Sequence, residues 1–229
     1  MTTHLQREIE NLKKRILYMG AEVEDTVRKA VDALVSRNTA LAEQVTASDE
    51  MMDELEVAIE EECLKILALH QPVAIDLRYV IAILKINNDL ERIGDLGVNI
   101  AERASYLATH APIDLPLDFT GMAEMAQLML KRSLDAMVNL DTQLARQVRA
   151  SDDDVDAINR HMYALIEEYI QANPERVAES LHLLSASRHL ERIADQATNI
   201  AEDVIYLVEG EIVRHQPEVF VDAGTIRDE

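Results

Sequence analysis

The chain has 229 residues, with 43 Asp and Glu against 22 Lys and Arg, for a formal net charge of −21. Apolar residues make up 48% of it, enough for a buried core, which excludes a disordered acidic tail. An acidic surface with no basic cluster carrying stacking aromatics also argues against a nucleic-acid binder. Six Gly, five Pro and no Trp leave little turn material for a β-sandwich and point to long helices with an aliphatic core. The longest plainly apolar run, Tyr79–Leu84, is too short to cross a bilayer, and Met1–Lys14 carries Glu8 and Glu10 without the apolar stretch of a leader. Cys63, the one cysteine, forbids an internal disulfide and reads as a core residue. A soluble cytoplasmic protein is expected.

Helix periodicity begins at Leu5 and runs to about Arg37, with apolar residues every third or fourth position: Ile9, Leu12, Ile16, Met19, Val23, Val27, Ala30 and Leu34. A second periodic stretch covers about Thr39 to His70, with Asn38 placed to cap it. The third covers about Val73 to Ala108, with Pro72 at a plausible first helical position. The breaker-rich segment His110–Pro116 reads as a linker. The pattern then recurs over Phe119–Asn139, Asp141–Ala172 and Glu175–Glu209, with Asn173-Pro174 opening the last stretch as cap and first residue. Residues 210–229 have no sustained period and read as a loose tail.

These six stretches are two copies of three. Residues 28–50 align with 131–153 at an offset of 103, and 90–107 with 190–207 at an offset of 100. In the second pair 11 of 18 positions are identical, a strong sign of internal duplication. Long helices joined by short turns favour antiparallel neighbours. The expected fold is therefore all-α: six long helices forming two pseudo-symmetric antiparallel three-helix bundles, over residues 1–109 and 118–209.

The repeated third helix carries the chemistry. At about 100° per residue, Glu91, Asp95, Asn99 and Glu102 share an arc of about 80°, with Ile86, Leu90, Ile93, Ile100 and Leu107 on the opposite side. Glu191, Asp195, Asn199 and Glu202 repeat the stripe in the second half. A solvated face is the simplest reading of one such stripe. Its recurrence residue for residue argues for more, because Leu96/Gln196 and Val98/Thr198 drift alongside it. So does the twice-used Asn, a mediocre helix former. Carboxylates one turn apart repel, and a hard cation relieves that repulsion while accepting carboxylate and amide oxygens alike. The stripe reads as a ladder for several ions rather than one closed cage.

Other groups carry less. Glu179-Ser-Leu-His182 fits the Glu-x-x-His of di-iron bundles, but such a site needs a second copy and the chain has none. His189 lies off the stripe and reads as structural, and Asp152-Asp153-Asp154 reads as a solvated helix face. Gly94 and Gly97, matched by Ala194 and Ala197, suggest the close approach of a neighbour or ligand. No nucleophile paired with a base, Gly-rich phosphate loop or kinase signature is present, so no enzymatic activity is expected.

At these motifs the sequence resembles the PhoU family of cytoplasmic regulators of bacterial phosphate uptake and phosphate-starvation signalling. The resemblance rests on Leu90-Glu-Arg-Ile-Gly-Asp95 and Leu190-Glu-Arg-Ile-Ala-Asp195, on Gln71-Pro-Val-Ala-Ile-Asp-Leu-Arg78, and on Met19-Gly20 followed by Val23-Glu24. It runs from about Leu5 to Glu209. It implies multinuclear metal clusters, iron in the first place with zinc, manganese or magnesium as substitutes, held by Glu91, Asp95 and Asn99 and by Glu191, Asp195 and Asn199. Glu102 and Glu202 would be neighbours. The second half lacks a counterpart of the Val73–Arg78 run, so a role for Asp76 or Arg78 would not transfer to it. The resemblance further implies a negative regulator of the phosphate regulon, coupling the ATPase subunit of a phosphate ABC transporter to a membrane sensor histidine kinase. The alternative is a carboxylate-bridged metalloenzyme or metal-storage bundle, and a third reading is a bare scaffold. The wide lateral faces of long helices leave room for a homodimer.

Overall fold

The structure is a computed structural model that describes residues 3–213, so most of the expected tail, 214–229, lies outside the described residues. All regular structure within them is helical. The first half comprises α1 (Thr3–Ser36), α2 (Thr39–Ala47), α3 (Asp49–His70) and α4 (Ala74–Ala108). The second comprises α5 (Phe119–Asn139), α6 (Thr142–Ala150), α7 (Asp152–Ala172) and α8 (Val177–Glu209), with a 3₁₀ turn at Pro174–Arg176. The two antiparallel three-helix bundles expected from the duplication are present. None of the described helices is long and apolar enough to cross a membrane.

Three local expectations change. The second periodic stretch of each half is two helices, broken at Ser48 and Ser151. Ser48 sends both its backbone N–H (3.1 Å) and its Oγ (2.7 Å) to Val45 O. Ser151 turns its Oγ onto Gln147 O at 3.0 Å and its N–H onto Val148 O at 3.0 Å. Side-chain oxygens competing for the helix's own carbonyls bend it there. Pro72 does not open α4: Gln71 takes a left-handed φ of 45° as the cap of α3, its N–H on Leu67 O, so the turn runs to Val73 and the helix starts at Ala74. Asn173 does not cap the helix after it either, since its side chain donates backward to Tyr169 O. Asn38 does cap α2, accepting from Leu41 N at 3.1 Å, and Asp141 repeats this for α6 from Leu144 N at 3.0 Å.

Leu12, Ile16, Met19, Val23, Val27, Ala30 and Leu34 are buried as their spacing requires, and Cys63 joins them. The two bundles share one continuous apolar core. Helices α4 and α8 run antiparallel along the seam between the halves. Arg78 Nε at the start of α4 donates to Leu207 O near the end of α8 at 3.0 Å, while Tyr106 near the end of α4 stacks on His182 near the start of α8. Lys85 crosses the same seam to Asp203, 2.9 Å away and almost wholly buried. Arg78, from the motif run that lacks a second-half counterpart, thus closes the carbonyl end of α8, where Gly210 caps the helix at φ 76°.

The linker between α4 and α5 is pinned from both halves. Arg37 donates to Leu107 O and His110 O, and Arg176 donates to Ala111 O.

Candidate functional site

Helix α4 has four flanks. Gly97 faces α1, where an added Cβ would lie 2.9 Å from Thr26 Cγ2. Gly94 faces Met52 of α3, and the buried Asn87 donates to Glu56 O of α3 at 2.9 Å. Lys85 faces α8. The stripe of Glu91, Asp95 and Asn99 occupies the fourth flank, between α3 and α8 and opposite α1. It is therefore not simply turned outward to solvent. Glu91 and Asn99 are half-buried along this flank, while Asp95 is more open. Helix α8 repeats the arrangement. Ser187, the counterpart of Asn87, donates to Asn159 Oδ1 of α7 at 2.5 Å, and Glu191 and Asp195 lie along the α7 side.

Beside each ladder lies the acidic start of the broken second helix. In the first half burial, followed by the negative charges of Asp49 and Asp53, holds the Asp95 carboxyl above its usual range. Glu91 is raised by burial and by Asp95, Glu56 and Asp53, and Asp49 by burial, Asp53 and Glu102. In the second half burial raises Asp152 to about 6, helped by Asp195 and Asp156. Asp195 is raised by burial, Glu191 and Asp156, and Glu191 by burial and Asp156. Each centre is thus an interhelical groove with carboxylates on both walls: Glu91 and Asp95 against Asp49 and Asp53, and Glu191 and Asp195 against Asp152 and Asp156. The expectation that Asp152–Asp154 is merely a solvated face is corrected at Asp152. That residue is half-buried and accepts a hydrogen bond from Thr198 Oγ1 at 3.3 Å.

Sequence reasoning missed the facing wall, although a signal existed. Asp49 and Asp53 recur as Asp152 and Asp156 at the same offset of 103 as the rest of the repeat. The breaks at Ser48 and Ser151 turn these acidic first turns toward the ladder.

The remaining stripe residues divide. Asn99 Nδ2 donates to Asp95 O at 2.8 Å, so the atom it can offer a ligand is its carbonyl oxygen. Asn199 Nδ2 makes only a long contact, 3.5 Å, with Gln196 Oε1. Glu202 is held by Arg149 at 3.4 Å and Glu102 by Arg103 at 3.3 Å, placing both at the edge of the centres. Glu179 pairs with Arg176 at 2.9 Å and His182 stacks on Tyr106, so they form no di-iron pair. His189 takes a structural bond with Ser185 at 3.1 Å, and burial lowers it to about 4.

The donor chemistry of both grooves suits hard or borderline cations: oxygens only, like-charged and partly desolvated. No three carboxylates of either groove bring oxygens within 4.8 Å of one another. The donors are spread along the helices and do not form one closed cage.

A family profile described as "PhoU domain" matches residues 16–104 and again 119–204. The chain belongs to the PhoU family. Its relatives include the phosphate-specific transport system accessory protein PhoU homologs of Aquifex aeolicus, 41% identical over 93% of this chain and 96% of that protein, and of Pseudomonas aeruginosa, 38% identical over 94% and 91%. The crystal structure of PhoU from Pseudomonas aeruginosa superposes with a TM-score of 0.87, covering 90% of this chain and 99% of that one. That of the phosphate transport system regulatory protein PhoU from Streptococcus pneumoniae gives 0.82 at 31% identity, over 91% and 99%. Each PhoU match contains one ladder and its facing acidic turn.

Proposed function

We propose that this chain is a cytoplasmic accessory regulator of phosphate transport, acting as an adaptor rather than a catalyst. It restrains a membrane sensor histidine kinase when phosphate is plentiful, through contact with the ATPase subunit of a phosphate ABC transporter. The observation that carries the reading is the full-length likeness to transport-system accessory proteins, joined to the duplicated carboxylate grooves. Glu91, Asp95 and Asn99, with Asp49 and Asp53, would hold one metal cluster, iron in the first place. Glu191, Asp195 and Asn199, with Asp152 and Asp156, would hold the other. Bound cations would neutralise charge that the grooves carry at a cost and so lock α3 to α4 and α7 to α8.

The placing of the hollows supports an adaptor over a metalloenzyme. Catalysis by a bound ion needs an open position in a dry, shaped cavity. Hollows of about 200 to 250 Å³ lie around Tyr18, beneath the linker and near Lys85, and of the stripe residues they reach only Glu202, at the edge of the second groove.

A deletion strain carrying a reporter for a phosphate-starvation promoter tests the regulatory role. Expression should persist in rich phosphate; normal shut-off rejects the role and shifts weight to metal storage. Pull-down from phosphate-replete cells should bring the transporter ATPase and the kinase. The homodimer expected from the broad helix faces is checked by light scattering, which should give twice the chain mass at micromolar concentration.

A further inference from the structure

A second cluster of a different chemistry lies far from both grooves. His4 and Glu8 sit one turn apart at the start of α1, and His70 ends α3. His4 Nδ1 is 3.2 Å from Glu8 Oε1, and His70 Nε2 is 2.6 Å from Glu8 Oε2. One donor atom from each of the three lies within 4.8 Å of the other two, the only such set among the described residues. Glu8 is 8% exposed. Its Oε2 and the His70 Nε2 are sealed from solvent, and neither makes a well-directed hydrogen bond. The imidazole rings of His4 and His70 stand 5.4 Å apart, tilted by 42°.

We propose that His4, Glu8 and His70 form a binding site for a borderline transition cation of the Zn²⁺ class. Tetrahedral zinc bonds of about 2.0 to 2.1 Å put neighbouring ligand atoms about 3.3 Å apart. The His4–Glu8 spacing already matches, and the His70–Glu8 spacing would open by about 0.7 Å to admit the ion. His70 is the last residue of its helix, next to a left-handed cap, where a shift of that size disturbs little packing. Two imidazoles and one carboxylate select zinc-like cations over Mg²⁺ or Ca²⁺, the reverse of the all-oxygen grooves. The ion would supply the partner that Glu8 Oε2 and His70 Nε2 lack, with the fourth position open on the exposed side of His4.

This centre is independent of the ladders. His70 lies 17 residues beyond Asp53 on α3, about 25 Å away at about 1.5 Å per residue. It is also not duplicated. Helix α1 has 34 residues against 21 in α5, so His4 and Glu8 fall in an extension that the second half lacks, and the counterpart of His70 is Asn173. An ion here would fasten that extension to the corner where α3 turns into α4.

Full-length protein stripped with chelator and kept in excess Mg²⁺ is titrated with Zn²⁺ against a chromophoric competitor, while the histidine imidazoles are followed by NMR. One tight Zn²⁺ should bind, and its first equivalent should shift the His4 and His70 imidazoles while leaving those of His110, His161, His182 and His189 in place. That ion should persist in the Asp95→Ala, Asp195→Ala protein, so the result stands or falls apart from the groove reading. Loss of a partner outside the ligand set alone costs metal sites about 10- to 100-fold in affinity, so His70→Gln should weaken Zn²⁺ by at least about 100-fold. His4→Ala, at an exposed first-turn position, carries the same test should His70→Gln fail to fold. Unmoved His4 and His70 imidazoles, or undiminished Zn²⁺ affinity in His4→Ala, overturn the proposal.

Discussion

Thr198 Oγ1 donates to Asp152 Oδ1 at 3.3 Å across the α7–α8 groove, whereas the corresponding positions of the first half hold Val98 and Asp49. The two grooves therefore differ at a residue that looks like idle drift in the repeat. A hydroxyl aimed at a carboxylate stabilises its charged form and partly offsets the burial that raises Asp152 to about 6. Thr198→Val should push the Asp152 pKa further up and weaken metal binding to the second groove below about pH 6, with little effect above pH 7.5. A carboxyl-resolved NMR titration of the two proteins in chelator checks this; an unchanged Asp152 titration rejects it.

Asp152 and His189 make opposing contributions to the pH dependence of stability in one window. Asp152, raised from 3.8 to about 6, binds its proton more readily in the folded chain, so its contribution is full below about pH 4 and lost as pH rises through about 6. His189, lowered from 6.5 to about 4 by burial and then by Arg103, Arg192 and Arg188, acts in reverse: its contribution is full above about 6.5 and lost as pH falls toward 4. Glu91, Asp95, Asp49, Glu191 and Asp195, raised by burial like Asp152, act on its side, so in chelator the parent should lose stability as pH rises through this window. Asp152→Asn removes the Asp152 contribution and should be more stable than the parent at pH 7 by about 1 to 2 kcal/mol, a figure reduced for partial exposure, and equal to it near pH 4. Urea melts at both pH values decide; a variant less stable than the parent at pH 7 contradicts the assignment.

The two glycines of the first ladder helix separate packing from propensity. At Gly94 an added Cβ meets only Met52 Cγ at 3.3 Å, a flexible thioether chain that can give way. At Gly97 it would come 2.9 Å from Thr26 Cγ2, with Val27 N at 3.6 Å, a stiff β-branched side chain on a packed helix. Replacing a helix glycine with alanine gains up to about 1 kcal/mol, and overpacking costs about 1 to 3 kcal/mol. Gly94→Ala should therefore raise the melting temperature, while Gly97→Ala should fall about 1 to 3 kcal/mol below it in stability. Equal melting temperatures would show that α1 and α4 are less closely packed at Gly97 than the structure places them.

Residue period and repeat made the rods, their pairing and the ladders legible. Phe119–Asn139 was readable to the residue from its period alone, and Asp118 caps it by accepting a hydrogen bond from Gly121 N at 2.8 Å. The breaks at Ser48 and Ser151 were not, since the apolar period continues through them. What a single helix cannot show is its neighbour: Asp49 and Asp53 carry meaning only once α3 is known to lie along α4. His4, Glu8 and His70 escape for the same reason, since Glu8 and His70 lie 62 positions apart in sequence and share no motif.

The grooves yield the sharpest test of the metal reading. Asp95 and Asp195 each sit one turn from a Glu and one turn from an Asn of the same stripe. Replacing both with Ala should remove most groove-bound metal, measured by plasma mass spectrometry on protein purified without chelator. The fold should persist, because the stripe lies opposite the buried Ile93, Ile100, Ile193 and Ile200. Relief of like-charge repulsion should raise the chelated protein's stability by a few tenths of a kcal/mol, about 0.2 to 0.5 per exposed pair. The facing wall adds a second arm: Asp49→Asn with Asp152→Asn should also lose metal if ions span the groove, and should keep it if the stripe of α4 and α8 binds alone. A solvated-face reading gives unchanged metal in both variants with intact melts, while a core reading gives a loss of several kcal/mol in the Ala pair. Unchanged metal in the Asp95, Asp195 variant ends the ligand assignment for both halves.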